Sequence, residues 1–424
     1  MVRAKESEVL VVGAGPVGMF TALLLARRGI EVAVVDEAWR TTTRSYALAL
    51  HPRSLALLDE VGLADELIQQ GQQVERVAFY EGADRRGELT LAEFDPRFPF
   101  LLILPQDRLE RLLEDHLFDL GVRVRWNQRL VEMESGAEGR LVARLEELGK
   151  ESLGYGVMTR EWVVERRVDH RTSFVVGADG HRSRVRRLLG IDFPRAGEIG
   201  DEVFAVFEVA TTEPTPREER VVLSGRTSNV LWPLGEGRCR WSFQELDPAS
   251  LVARRAKGRL AVQVGPDAFP FLDRDDLVGY ATERAPWFDP ATVRDIAWSV
   301  AVRFEHRLAE RFGEGRAWLA GDAAHLAGPI GVHSMNLGLA EAHDLARHLT
   351  GVLAETEPLA GLADYDRQWR STWRTLLAAD GPPAVAPGAP DWVVRHAGRV
   401  LSALPASGPQ LAAMAQSLGL ALPA

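Results

Sequence analysis

A glycine-rich turn set between a strand and a helix near the start of the chain constrains the fold more than any other feature. Gly13-Ala14-Gly15-Pro16-Val17-Gly18 follows the apolar run Glu8 to Val12 and opens Pro16 to Arg28, whose Leu23, Leu24 and Leu25 have helical character. Gly29 stops that helix, and Glu31 to Val35 follows as a valine-rich strand suited to a buried parallel sheet, ending in Asp36. This is a βαβ unit. Its first glycine allows the tight turn, the second lets backbone approach a pyrophosphate held by helix N–H groups, and the third permits close helix packing. Asp36 is spaced to accept hydrogen bonds from an adenosine ribose. The motif by itself fits FAD and NAD equally, and a turn that binds nothing is the bland alternative. No second G-x-G-x-x-G exists in the chain. One dinucleotide is therefore held stably, and any other must visit without a domain of its own.

The 424 residues are 46% hydrophobic and 26% charged, a globular composition long enough for two or three folding units with no disulfide or metal staple. The single cysteine, Cys239, cannot form an internal disulfide or a cysteine zinc site, which points to a reducing compartment. A net charge of −10 argues against nucleic acid as a partner. Val9 to Ala26 is uncharged over 18 residues, but Gly13, Gly15, Pro16 and Gly18 interrupt it and no cleavage site closes it. Val400 to Ala424 is also uncharged but carries Pro405, Pro409, Gln410 and Gln416. No membrane anchor is expected, and a cytoplasmic location is the default.

Further along, Ser54 to Gln70 reads as one helix, Val77 to Tyr80 and Leu89 to Phe94 as a hairpin, and Asp107 to Leu120 as an amphipathic helix ended by Gly121. Val122 to Trp126 and Phe174 to Val176 read as further strands of the first sheet. From Asp201 to Leu246 the pattern becomes antiparallel: Val203–Val209, Val221–Ser224, Asn229–Pro233 and Cys239–Phe243. Helix and strand signals return at Ala317–Ala320 and Asn336 to Leu353. The expected class is α/β: a Rossmann-like dinucleotide domain of residues 1–75, 106–195 and 290–380, with an inserted β-sheet substrate domain of residues 76–105 and 196–289. Asp380 to Pro390, with four prolines and two glycines, reads as a linker to a short helical C-terminal tail, 381–424 in all.

Two more motifs stand far apart. Val176-Gly177-Ala178-Asp179-Gly180-His181-Arg182-Ser183 is followed by Arg186, and Trp318-Leu319-Ala320-Gly321-Asp322-Ala323-Ala324-His325 leads to Met335-Asn336-Leu337-Gly338. With Pro105-Gln106, Leu109 and Glu110 they resemble the signatures of the class A FAD-dependent monooxygenases, the aromatic-hydroxylase family that includes p-hydroxybenzoate hydroxylase. The resemblance runs from about residue 7 to 355. It implies FAD as resident cofactor and NADPH or NADH as transient co-substrate. Gly13, Gly15, Pro16, Gly18, Asp36, Arg44, Gln106, Asp179, Gly180, Gly321, Asp322, Gly331, Met335 and Asn336 would then contact FAD. The implied activity is hydroxylation of an aromatic or polyketide-like small molecule with O2, through a C4a-hydroperoxyflavin that the protein keeps dry.

Where that family usually reads Pro-x-Gly-Gly-Gln-Gly-x-Asn, this chain reads Pro329-Ile330-Gly331-Val332-His333-Ser334-Met335-Asn336. Two glycines are replaced, which bears on how closely the loop approaches the flavin and how freely the ring moves. Pro329 and His333 are the candidate catalytic positions. His333 is a candidate proton-transfer group because its ordinary pKa lies near operating pH, with a satisfied loop residue as the alternative; His325 reads as structural. Tyr46, Trp232, Trp241 and Phe243 are candidate walls of the substrate pocket, with core packing as the competing role. No phenol-deprotonating base is assignable. The three lysines, Lys5, Lys150 and Lys257, lie outside Val77 to Tyr80, where a flavin halogenase would need one, and that family's Trp-x-Trp-x-Ile-Pro is missing. Baeyer–Villiger insertion, epoxidation, a flavin-binding scaffold and an NAD-dependent dehydrogenase are the other readings left open. The segment after the linker is too short for the thioredoxin-like domain often appended in the family. It is expected to pack as helices Trp392–Leu404 and Gln410–Leu420 on the body or on another subunit, a homodimer being one assembly open to the chain.

Overall fold

Val9–Val12 lie beside Val32–Val35 in parallel register, and on the other side Lys5–Val12 pairs with His170–Gly177. The computed structural model describes residues 5–41, 49–153, 159–197, 202–214, 217–247, 261–264, 267–270 and 272–422. Two further parallel neighbours extend this cofactor sheet, Val124–Arg125 beside Val34–Val35 and Ala317–Leu319 beside Val175–Gly177, and three antiparallel strands bring it to eight among the described residues. Val9, Leu10, Val11, Val34 and Val35 are fully buried because helices cover the sheet. Helix Pro16–Arg27 packs against Gln106–Asp119 and His333–Leu353.

The region read as one helix from Ser54 to Gln70 is two, Pro52–Asp59 and Ala64–Gln70. Gly62 turns the chain between them at φ +75°, a conformation that ends helices. The hairpin forms as Arg76–Glu81 and Asp84–Thr90, with a single 3₁₀ turn at Leu91–Glu93. The short strand expected at Phe174–Val176 is the end of a 19-residue strand, Thr159–Gly177, whose antiparallel partner is Leu141–Leu153. Helices Arg274–Arg284 and Leu362–Leu376 were not anticipated.

The second sheet has seven strands in the order Val293–Phe304, Glu202–Thr211, Arg238–Glu245, Thr227–Gly235, Glu218–Ser224, Arg76–Glu81, Asp84–Thr90. Only Glu218–Ser224 and Arg76–Glu81 run parallel. The boundary drawn at residue 290 needs correction here. Val293–Phe304 pairs along the whole of Glu202–Thr211 and belongs to this sheet. Likewise Leu101–Ile103 leaves it, pairing with Ala49–Leu50 and Gln72–Val74.

The strand alternation gives the large sheet two different faces. Phe204, Val206, Val221, Val230, Trp232 and Val302 join the core shared with the cofactor sheet. Val203, Phe207, Leu231, Trp241 and Phe243 face the opposite way into a second core, closed by Leu277 and Tyr280 of helix Arg274–Arg284. That helix starts with a reciprocal cap between Asp273 and Asp276. Beyond residue 380, helices Asp391–Ala403 and Gly408–Ser417 pack on the body, and Ala384–Val385 pairs with Leu420–Ala421. Among the described residues no helix is long and apolar enough to cross a membrane.

Candidate functional site

The glycine turn is built by contacts that exclude side chains at two of its three glycines. Gly13 has φ +109°, and a Cβ on it would collide with the Ala178 carbonyl; a Cβ on Gly18 would collide with the Gly13 carbonyl. At Gly15 nothing lies within 4 Å of the same position. That space opens on a cleft at the start of helix Pro16–Arg27, where the free N–H groups and the helix dipole favour an anion. Asp36 closes the turn behind. Its two oxygens accept from the N–H groups of Ala14 and Ala38, each at 2.7 Å. Burial raises its pKa, these bonds opposing the shift, and each oxygen retains a free lone pair.

The other two motifs reach the same cleft. Ala178, Gly180, His181 and Arg182 come from the second, and Ala320, Asp322, Pro329, Val332, Ser334 and Met335 from the third. Gln106 lines it as well, and donates to Glu110 at 2.7 Å. The cleft encloses about 1060 Å³, at the top of the range of small-molecule sites, and its opposite side is Val302, Arg303 and Phe304 of the large sheet. The cradle above Gly15 and the Asp322 carboxylate fit a dinucleotide's diphosphate and a hydroxyl, whereas Asp36, expected at the ribose, does not line the cleft and stands behind the turn on the N–H groups of Ala14 and Ala38.

Arg186 bolts the two later motifs together. It donates to the carbonyls of Ala323 at 2.7 Å and His181 at 2.9 Å, and lies 3.8 Å over the ring of Phe193. The Asp179 carboxylate turns away from the open cleft. It accepts from Ser183 Oγ at 2.5 Å and from the N–H groups of Arg184 at 2.6 Å and Val185 at 3.2 Å, so the second motif presents backbone at Gly180. Burial raises the pKa of Asp179, against these same bonds.

Asp322 is open to the cleft, on the 3₁₀ turn Gly321–Ala323. Loss of solvation raises its pKa, while His325 and His181 pull it down. A group that the motifs did not indicate holds this turn. Glu341, fully buried on helix His333–Leu353, accepts from Gly321 N at 2.8 Å, His325 Nε2 at 2.9 Å and Trp373 Nε1 at 2.6 Å. His325 stacks on Trp373 at 3.8 Å, in keeping with its structural reading. The available signal was an acid on the apolar face of a helix, among Leu337, Ala340 and Leu345.

The loop from Gly331 to Asn336 is fastened at Gly331, Val332, His333 and Asn336. Gly331 O accepts from His51 Nε2 at 2.9 Å. Asn336 donates to Val332 O at 2.8 Å and to Ala49 O at 2.9 Å, and accepts from His51 N at 2.8 Å. Asn336, expected to touch the cofactor, is thus buried and spent on the chain. Val332 stands at φ +50°, ψ 41°, which costs a β-branched residue about 1–2 kcal/mol. His333 is buried, donates from Nε2 to Ser402 O at 3.2 Å, and lies edge-on to His51. It is not among the residues lining the cleft. Burial lowers its pKa to about 4 and that of His51 to about 3.

Trp241 and Phe243, candidate walls from sequence with core packing as the competing role, take the core role and do not wall the cleft. They stack on each other at 4.7 Å in the second core, on the face of the sheet turned away. The strand alternation decides this, and the sequence does not tell which face looks inward. Trp232 shares the face of Val302 but is buried and absent from the cleft lining. Arg44 and Tyr46 lie outside the described residues.

The family described as FAD binding domain matches residues 6–379. The chain is 29% identical to 6-methylpretetramide 4-monooxygenase of Streptomyces rimosus over 83% of its own length and 57% of that protein's. It is 30% identical to aklavinone 12-hydroxylase RdmE of Streptomyces purpurascens, covering 88% of this chain and 68% of the relative. The chain therefore spans between 57% and 68% of the length of these relatives. Among solved structures, aklavinone-11 hydroxylase with FAD and aklavinone superposes with TM-score 0.63 at 26% identity, over 89% of this chain and 67% of that one. The fold is also that of p-nitrophenol 4-monooxygenase PnpA from Pseudomonas putida DLL-E4, with TM-score 0.67, 22% identity and coverage of 98% and 94%.

Proposed function

The chain belongs to the FAD binding domain family, among the class A FAD-dependent aromatic monooxygenases, and from that premise we propose that it hydroxylates an aromatic or polyketide-like small molecule with NADPH or NADH and O2. One observation carries the reading: Gly15, Asp322 and Met335, from motifs far apart in sequence, wall a single cleft closed on its other side by Val302 and Phe304 of the large sheet. On this reading the N–H groups at the start of helix Pro16–Arg27 hold the diphosphate of FAD, with Gly15 giving it room. Asp322 takes the ribityl chain. Bound there and reduced by a nicotinamide, FAD would supply the oxygen-activating chemistry. The chain's own part is to orient and to exclude water. The apolar side chains of Val302, Phe304, Ala327 and Met335 give the reacting end of the cleft a poorly solvating wall.

The test is to mix the purified protein anaerobically with NADPH, and then NADH, with and without phenols and polycyclic aromatics, following the yellow absorbance. Bleaching that one ligand class accelerates is the expected result and identifies the substrate class. A yellow protein that neither nicotinamide bleaches would instead mark a flavin-holding scaffold, and a preparation unable to take up FAD would sink the assignment. Product mass and structure then separate hydroxylation from epoxidation and Baeyer–Villiger insertion.

A further inference from the structure

We propose that His333 is a positioning residue, which ties the cleft loop to helix Asp391–Ala403 and through it to the large sheet, and that it carries no proton for the reaction. The inference deepens the FAD-monooxygenase reading and rests on it. A carbonyl oxygen can only accept, so the contact to Ser402 O places the proton of His333 on Nε2. Its Nδ1 is buried without a partner, and the ring does not line the cleft. A neutral imidazole with one nitrogen committed and the other sealed has no route for exchanging a proton with a bound molecule. It does have a mechanical role. Gly331 could not carry a Cβ because His333 Nε2 and Ser402 O already occupy that position. The next residues, Val332, Ser334 and Met335, face the cleft.

The far end of the tie is equally definite. Trp392 of helix Asp391–Ala403 packs on Phe79 with ring centroids 5.5 Å apart, and Arg395 grips Glu81 at 2.8 and 2.9 Å. Arg399 donates to Thr227 O at 2.9 Å and Gly225 O at 2.8 Å. All four partners belong to strands of the large sheet or the turn between them. The helix is thus clamped to the sheet along its length, and its last turn meets the cleft loop at His333. His333 supplies the side-chain hydrogen bond in this joint between the cleft loop and the sheet-clamped helix, beside the direct approach of Ser402 O to Gly331.

The experiment compares FAD-loaded wild type with His333→Gln, His333→Leu and Arg399→Ala. Readouts are the dissociation constant for FAD, the fine structure of the flavin absorbance, thermal stability, and the pH profile of flavin reduction. His333→Gln keeps an N–H donor and should stay near wild type in all four. His333→Leu should weaken FAD binding about tenfold, the worth of one buried hydrogen bond, and blur the absorbance bands, with the pH profile unmoved. Arg399→Ala, which touches nothing in the cleft, should shift FAD affinity and spectrum in the same direction by a smaller factor, and it serves alone if the leucine variant does not fold. Two results would overturn the proposal. One is a His333→Gln enzyme that loses a limb of the pH profile at unchanged FAD affinity, which is proton transfer. The other is a fall in thermal stability in the leucine and Arg399 variants with FAD affinity and spectrum unchanged, which is plain packing. A wild-type protein that takes up no FAD would remove the functional reading itself, and the proposal with it.

Discussion

Three histidines buried in their neutral form make the protein sensitive to mild acid. Burial lowers the pKa of His51 to about 3 and those of His333 and His170 to about 4, from an ordinary 6.5. The unfolded chain takes up protons below pH 6.5 that the folded chain refuses. Their contribution is therefore complete above pH 6.5 and declines as pH falls toward 4, by up to about 1.4 kcal/mol per pH unit for each. Followed by NMR from neutral pH downward, the three rings should all still be neutral at about pH 5, and a ring that titrates near its ordinary value would refute its burial. Glu341 makes a second residue-scale prediction. Three N–H donors converge on its carboxylate, so Glu341→Gln sets an amide N–H against one of them and should cost about 2–3 kcal/mol in unfolding free energy, read from denaturant curves. The glycines of the first motif were legible in the sequence because only their spacing had to be right. Val332 was legible as a departure from a family pattern, but its left-handed backbone was not, since it depends on clamps from His51 and Asn336 that lie far apart in the chain.

At the scale of elements, the joint between the second and third motifs rests on Arg186. A lysine there cannot reach two carbonyls in a fixed fork while lying flat on Phe193. Arg186→Lys should lower stability by about 2 kcal/mol and weaken FAD binding, both measurable on the purified protein by urea unfolding and flavin fluorescence. Periodicity served well for helices with one apolar face, such as Gln106–Asp119 and His333–Leu353. It failed where charge was dense. The outer part of Thr159–Gly177, with Glu165, Arg166 and Arg167, has no apolar alternation to announce a strand, and is held by cross-strand ion pairs with Glu146 and Glu147. Helix Leu362–Leu376, by contrast, is legible in the sequence: Leu362, Tyr365, Trp369, Trp373 and Leu376 recur at helical spacing and form its buried face.

For the whole molecule, the large sheet has one face on the core shared with the cleft side and the other on a core of its own. Phe243 stacks on Trp241 and Tyr280 in the core behind the sheet. Phe243→Ala should cost about 3–5 kcal/mol and, on the proposed function, leave the KM for an aromatic substrate unchanged at a temperature where the variant is folded. A large KM increase in that folded variant would return Phe243 to the substrate wall. The α/β class and the existence of a second sheet were readable from the chain, but the membership of Val293–Phe304 was not, because its partner strand lies far upstream and nothing local to either names the other. That same non-local pairing bears on synthesis. Ala317–Leu319 is the last strand to join the cofactor sheet, and helix His333–Leu353, which packs on Pro16–Arg27, follows it. A nascent chain emerging from the ribosome therefore carries its first βαβ unit with one flank bare until the large sheet has been made. Holding that apolar flank back from aggregation is a task for chaperones or for speed of translation, and a stalled or shortened product would be recognised by its insolubility before any lack of colour.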